Sequence, residues 1–324
     1  MEFTEIKKIS DQVKENISRV IVGKESIIDL LLAAVISQGH VLLEDVPGMG
    51  KTLLAKSLAM SIDCGFKRIQ FTPDLLPSDI TGIHFYNQKE SEFTFRAGPV
   101  FSNIVLSDEI NRATPRTQSA LLECMEEYQV TIDGVTKHLD RPFLVIATQN
   151  PVEIQGTFPL PEAQLDRFMM RLKVGYPSTD EGMDILKRFK EKNPALELKP
   201  VCSREDIVKA NTEFMNVQVC DDVLRYIIRL AEATRTNPEI ILGVSPRGTQ
   251  ALLKASQALA IIRGRDYVTP DDIKTLAIPV LSHRIIMKGA LRLKTGASEE
   301  AIKDILQKTS VPTEENIDFK TAWK

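Results

Sequence analysis

The segment that most limits what this chain can fold into is His40 to Thr52, reading H-V-L-L-E-D-V-P-G-M-G-K-T. An apolar run leads directly into Gly48-x-Gly50-Lys51-Thr52, and a helical pattern over Thr52 to Ile62 follows. Strand, tight glycine turn and helix, in that order, make a phosphate-binding loop. The glycines let backbone N–H groups converge on an anion, and the helix N-terminus adds its partial positive charge. In such a loop the lysine reaches the β and γ phosphates of a nucleotide and the next hydroxyl ligates Mg²⁺, so Lys51 and Thr52 are expected in those roles. Pro47, Gly48, Met49, Gly50 and Leu53 complete the expected cradle for ATP. The full pattern G-x-x-x-x-G-K-[ST] asks for glycine at position 45, where this chain has Asp45. The Pro47-Gly48-Met49-Gly50 turn is expected to compensate.

Two further segments gain meaning beside that loop. Asn103 to Glu109, N-I-V-L-S-D-E, ends an apolar strand on two acids, which is costly unless a metal or a reaction uses them. Asp108 is expected to hold Mg²⁺ and Glu109 to polarise the attacking water. At the end of the next strand, in Ala147-Thr148-Gln149-Asn150-Pro151, the Asn150 amide is placed to orient water or touch the γ-phosphate.

The texture of the chain changes near Pro177. Before it, the runs Val41–Leu43, Lys67–Phe71, Ile104–Leu106 and Phe143–Ile146 alternate with helical patterns, as buried parallel strands with helices on both faces do. After it the strand signal nearly disappears. Helices are expected at about 179–191, 203–216, 221–234, 246–263, 270–276 and 298–307. Ser203 and Thr269 are placed as N-caps, with acidic residues and, after Thr269, a proline in the first turn. The expected division is 1–177, an α/β nucleotide-binding core, and 178–324, a small helical domain with a tail.

Composition excludes several classes. With 41 Lys and Arg against 44 Asp and Glu, a net charge of −3 and a pI near 5.9, the chain has no general drive toward nucleic acid or anionic membrane. The longest apolar run, Ile27 to Ile36, is too short to span a bilayer and contains Asp29. Cys64, Cys124, Cys202 and Cys220 lack metal-ligand spacing and read as buried thiols of a reducing, cytoplasmic compartment. The opening Met1-Glu2-Phe3-Thr4-Glu5 gives no expectation of a secretory signal.

Together with Phe95–Phe101, Ser107–Ala113, Thr117–Glu123, Phe158–Phe168 and Gly243–Gly248, these segments resemble the MoxR family of AAA+ ATPases over nearly the whole chain. Asp108-Glu109-Ile110-Asn111-Arg112-Ala113 followed by Leu165-Asp166-Arg167-Phe168 is the most specific part. The resemblance implies a P-loop αβα core of the AAA+ type with β-hairpin insertions, here at Thr81–Gly98 and Gln129–Thr136, followed by an all-α lid. It makes Gly48–Thr52 the Walker A loop, Asp108 and Glu109 the Walker B pair and Asn150 sensor 1. Val22 and Gly23 then lie near adenine, and Arg167 is the arginine finger reaching a neighbouring subunit's γ-phosphate. Arg247 becomes sensor 2, expected to draw the lid over the nucleotide. Arg112 and Arg116 compete for an interface role. The implied protein is a homo-oligomer, a hexameric ring, that hydrolyses ATP to remodel, mature or load cofactor into partner complexes, with partners bearing a von Willebrand factor A domain. A DNA-directed AAA+ motor or loader is the alternative, and the acidic pI and absence of a basic run count against it.

Overall fold

The computed structural model describes residues 2–46, 48–150, 156–191 and 194–312, so Met1, Pro47 and residues 151–155, 192–193 and 313–324 lie outside it. Helices α1 (Phe3–Ser18) and α2 (Glu25–Ile36) lead into β1 (Val41–Glu44), α3 (Lys51–Ser61) and β2 (Phe66–Gln70). The short α4 (Pro77–Thr81) opens a hairpin of β3 (Gly82–Asn87) and β4 (Glu92–Ala97). Then come β5 (Ile104–Asp108), α5 (Pro115–Glu127), a second hairpin of β6 (Gln129–Ile132) and β7 (Val135–His138), β8 (Leu144–Gln149), α6 (Glu162–Leu165) and β9 (Met170–Leu172). The remainder holds α7 (Thr179–Glu191), α8 (Arg204–Glu213), α9 (Asp221–Thr236), β10 (Ile240–Leu242), α10 (Pro246–Ile262), α11 (Pro270–Leu281), β11 (Ile286–Met287) and α12 (Ala297–Lys308).

The four expected strands form one parallel sheet in the order β2-β5-β8-β1, and β9, which was not expected, adds a fifth strand beside β1. Alternate residues serve two cores. Val41, Leu43, Ile104, Leu106, Leu144 and Ile146 face the cluster built with α1, α2, α3 and the lid helices. Leu42, Val105, Val145 and Ala147 face the cluster that includes α5. Burial on both faces is why these strands read as unbroken apolar runs.

Both hairpins lie where the resemblance puts them. In the second, Asp133 and Gly134 take φ of 50° and 79°, the paired positive values of a tight hairpin turn. Ser203 and Thr269 cap α8 and α11 through reciprocal bonds with Asp206 and Asp272. Helix α11 runs past the expected Leu276 and through Pro279, because Val280 and Leu281 are fully buried and outweigh the lost backbone bond. The lid also carries one short antiparallel pair, β10 with β11. No helix among the described residues is long and apolar enough to cross a membrane.

Candidate functional site

In a parallel sheet of this kind, ligands bind at the carboxyl ends of the strands. The register aligns Glu44 with Gln149, Ser107 with Ala147 and Gln70 with Asp108. The loop after β1, the Asp108-Glu109 pair after β5 and Asn150 after β8 therefore share one edge.

Gly48 and Gly50 take φ of 85° and 76°, conformations that L side chains rarely adopt, and Gly50 is the N-cap of α3. A Cβ at either glycine meets nothing within 4 Å, so the concavity is open. Lys51 Nζ donates to the Asp45 carbonyl at 2.7 Å. Burial lowers the Lys51 pKa, and the charges of Asp108, Asp45 and Glu109 oppose that shift. Thr52 and Leu53 follow in the first turn of α3, both half-buried, and Met49 packs against the main core. Asp45 has a use of its own: its Oδ2 accepts from the N–H groups of Val174, in a short contact, and Gly175 at 3.3 Å. The carboxylate ties the phosphate loop to the segment after β9, a reason for Asp where the pattern asks for Gly.

Asp108 Oδ1 accepts from the Thr148 hydroxyl at 2.5 Å, and Oδ2 from Arg68 at 2.6 Å. Glu109 sits in the left-handed region, φ 56° and ψ 51°, a strained setting of the kind that clusters at functional sites. Its N–H donates to Thr148 Oγ1 at 2.8 Å, while Oε2 accepts from Gln70 at 2.8 Å and pairs with Arg112 at 3.0 Å. Arg112 thus faces its own chain's Glu109, and Arg116 is exposed. Asn150 is buried at the end of β8. Val22 and Gly23 are half-buried, and a Cβ on Gly23 would strike the Glu181 carboxylate of α7. Lys24, next in sequence, donates to the Tyr176 carbonyl, one residue beyond the Gly175 that Asp45 holds.

Arg167 and Arg247 lie elsewhere. Met170 pairs with Val41, the first residue of β1, so Arg167 stands just before the amino end of the sheet. The phosphate loop begins past Glu44, at least about 10 Å along the strand at roughly 3.3 Å per residue. Arg167 pairs with Glu126 Oε2 at 3.1 Å, and Arg247 donates to Glu126 Oε1 at 3.0 Å. Within one chain the structure does not bring Arg247 to the phosphate loop. The capped start of α10 holds it beside Arg167, at the far end of the sheet from Lys51.

Lys51, Thr52, Asp108, Glu109 and Asn150 were readable as strand-end motifs. Arg68, Gln70 and Thr148 were missed, since only register brings them to the acidic pair. Among the described residues no group of three or more His, Cys, Asp or Glu is placed to hold a metal by itself. Asp108 and Thr52 instead suit a cation that shares its ligands with bound phosphates. All four cysteines are free.

Residues 40–170 match the family model described as "ATPase family associated with various cellular activities (AAA)", and residues 232–306 match that of an AAA lid domain. The chain is 52% identical to the uncharacterized protein YeaC of Bacillus subtilis, over 93% of this chain and 94% of that protein. It is 40% identical to Chaperone MoxR1 of Mycobacterium tuberculosis, over 91% of this chain and 80% of the other. Protein MoxR of Paracoccus denitrificans shares 30% identity over 88% of this chain and 91% of its own. A crystal structure of a Cytophaga hutchinsonii protein superposes with a TM-score of 0.89 at 40% identity, covering 96% of this chain and 97% of that one. The phosphate loop, the acidic strand end and the helical lid thus belong to an ATP-hydrolysing enzyme, and the chain is a member of the MoxR-like AAA+ ATPases.

Proposed function

We propose that this ATP-driven, chaperone-like enzyme works as a homo-oligomeric ring, a hexamer, in which each nucleotide is completed by the next subunit. The observation that carries this is the separation within one chain of the phosphate loop from Arg167 and Arg247, at opposite ends of the sheet. A cation near the transferring phosphoryl group speeds phosphoryl transfer, and an arginine supplied in trans does this well. Lys51 and the loop amides of 48–52 bind the phosphates, Thr52 and Asp108 hold Mg²⁺, Glu109 polarises the attacking water and Asn150 orients it. Val22 and Gly23 flank the base. Mg²⁺, when bound, neutralises charge on the phosphates.

The division falls at 177/178, between the nucleotide-binding core and the lid with its tail. The two hairpins form the partner-facing surface. Tyr86 and Phe93 stand exposed at the first, Phe93 at 74%, and His84 bonds Asp133 of the second at 2.7 Å. The partners we propose are cytoplasmic protein complexes that include a von Willebrand factor A domain, matured or loaded with cofactor by the ring.

Glu109→Gln tests the assignment of the base. The variant is expected to bind Mg-ATP as the wild type does and to assemble with it, while turnover falls by about 100-fold or more. Lys51→Ala is expected to lose nucleotide binding. A Glu109→Gln chain that hydrolyses ATP at the wild-type rate contradicts the assignment.

A further inference from the structure

Glu126, in the last turn of α5, belongs to no nucleotide motif, yet its two carboxylate oxygens engage two different arginines from two parts of the chain. Arg167 comes from the core, three residues before β9, and Arg247 from the first turn of the lid helix α10. Two guanidinium groups held this close repel, and one carboxylate between them offsets that repulsion and sets their spacing. The closest approach of Arg167 is through Nε, the inner edge of the group, so the terminal nitrogens are not what holds it to Glu126 most closely.

The backbones beneath are locked by a second network. Arg284, almost fully buried, donates from Nε to Asp166 Oδ1 at 2.6 Å and from Nη2 to the Phe168 carbonyl at 2.7 Å. The Ser245 hydroxyl, which caps α10, donates to Asp166 Oδ2 at 3.1 Å. Asp166 is thereby bonded to the cap of the helix that carries Arg247 while it adjoins Arg167 in sequence. His40 Nε2 joins the start of β1 to the Met125 carbonyl at 2.9 Å, next to Glu126, and fixes the end of α5. The arginine of the core and the arginine of the lid are joined by one continuous network of polar contacts.

We infer that Glu126 is a positioning residue: it holds Arg167 and Arg247 as one pair and presents both to the nucleotide of the neighbouring subunit. The inference rests on the reading that these arginines act in trans. Glu126 touches no nucleotide itself. Its removal leaves the chain's own phosphate loop intact and spoils only the face offered to the neighbour. Lid position and finger position become a single coordinate, so a nucleotide bound by one subunit moves the lid of the next.

The test is complementation between full-length variants, read as ATP turnover. Glu126→Ala is expected to lower kcat about tenfold, with KM for ATP nearly unchanged. Glu126→Gln, which keeps the shape of the helix end, is expected to fall in the same direction. Mixed with Glu109→Gln chains, whose arginine face is intact but whose own site is dead, Glu126→Ala chains regain activity, because each intact face serves an intact site. Mixed with Arg167→Ala chains they regain none, both defects lying on the same face. Wild-type or faster turnover by Glu126→Ala and Glu126→Gln, or complementation of Arg167→Ala by Glu126→Ala, overturns the inference. Failure of Arg167→Ala and Glu109→Gln to complement each other overturns the in-trans reading itself, a separate result.

Discussion

The Thr148 hydroxyl bonds in two directions, donating to the Asp108 carboxylate and accepting from the Glu109 N–H. That second bond helps to hold Glu109 at positive φ, a conformation that costs about 1–2 kcal/mol in a non-glycine residue. Thr148→Val fills the same space but leaves the Glu109 N–H without this acceptor and Asp108 Oδ1 without its donor. Turnover is expected to fall by about 100-fold, and stability by about 1–3 kcal/mol in urea melts. A Thr148→Val chain with wild-type turnover shows that Asp108 and Glu109 are held by other means. At Gly50 the space is open and the constraint is φ alone, so Gly50→Ala is expected to weaken ATP binding through backbone strain, without a steric clash. Titration with a fluorescent ATP analogue checks this, and unchanged affinity contradicts it. Lys51, Thr52, Asp108 and Glu109 were legible because a local pattern carries their chemistry. Arg68, Gln70 and Thr148 were not, because their meaning arises across strands some 39 or 40 positions apart in sequence.

At the scale of elements, His40 joins three of them. It precedes β1, its Nε2 donates to the Met125 carbonyl of α5, and its Nδ1 accepts from the Val145 N–H of β8. Burial pushes its pKa from 6.5 down to about 4, so the folded chain keeps it neutral. Between those two values the unfolded chain binds more protons than the folded one. Stability therefore rises with pH through this window and is lost as pH falls from 6.5 toward 4. Denaturant melts at pH 7.5 and 5.5 are expected to show a loss of about 1.4 kcal/mol from this group. The loss should be absent in His40→Gln, and equal pH slopes in the two proteins contradict the assignment. Most elements were legible from apolar periodicity and caps. Helix α1 was passed over, although Ile6, Val13 and Ile17 recur at helical spacing and are buried. Strand β9 is three residues long, too short for any period to show, and only pairing with β1 defines it.

The whole molecule has two functional ends. The carboxyl edge of the sheet holds the phosphate loop and the acidic pair, and the amino edge holds Arg167 and Arg247 against Glu126. That a helical lid follows an α/β core was legible from the loss of strand signal along the sequence. Which way the lid faces was not, because the Ser245, Asp166 and Arg284 contacts that fix it join residues up to 118 positions apart. On the function proposed above, a chain with the two parts of its catalytic site at opposite ends is expected to gain activity only by assembling head to tail. ATP turnover per subunit, followed against protein concentration for the wild type alone and for the wild type mixed with Arg167→Ala, tests this most directly. The rate per subunit is expected to rise with concentration, and the variant to suppress wild-type activity by more than dilution. A flat rate per subunit, with mixing that only dilutes, contradicts completion of the site in trans and with it the ring mechanism.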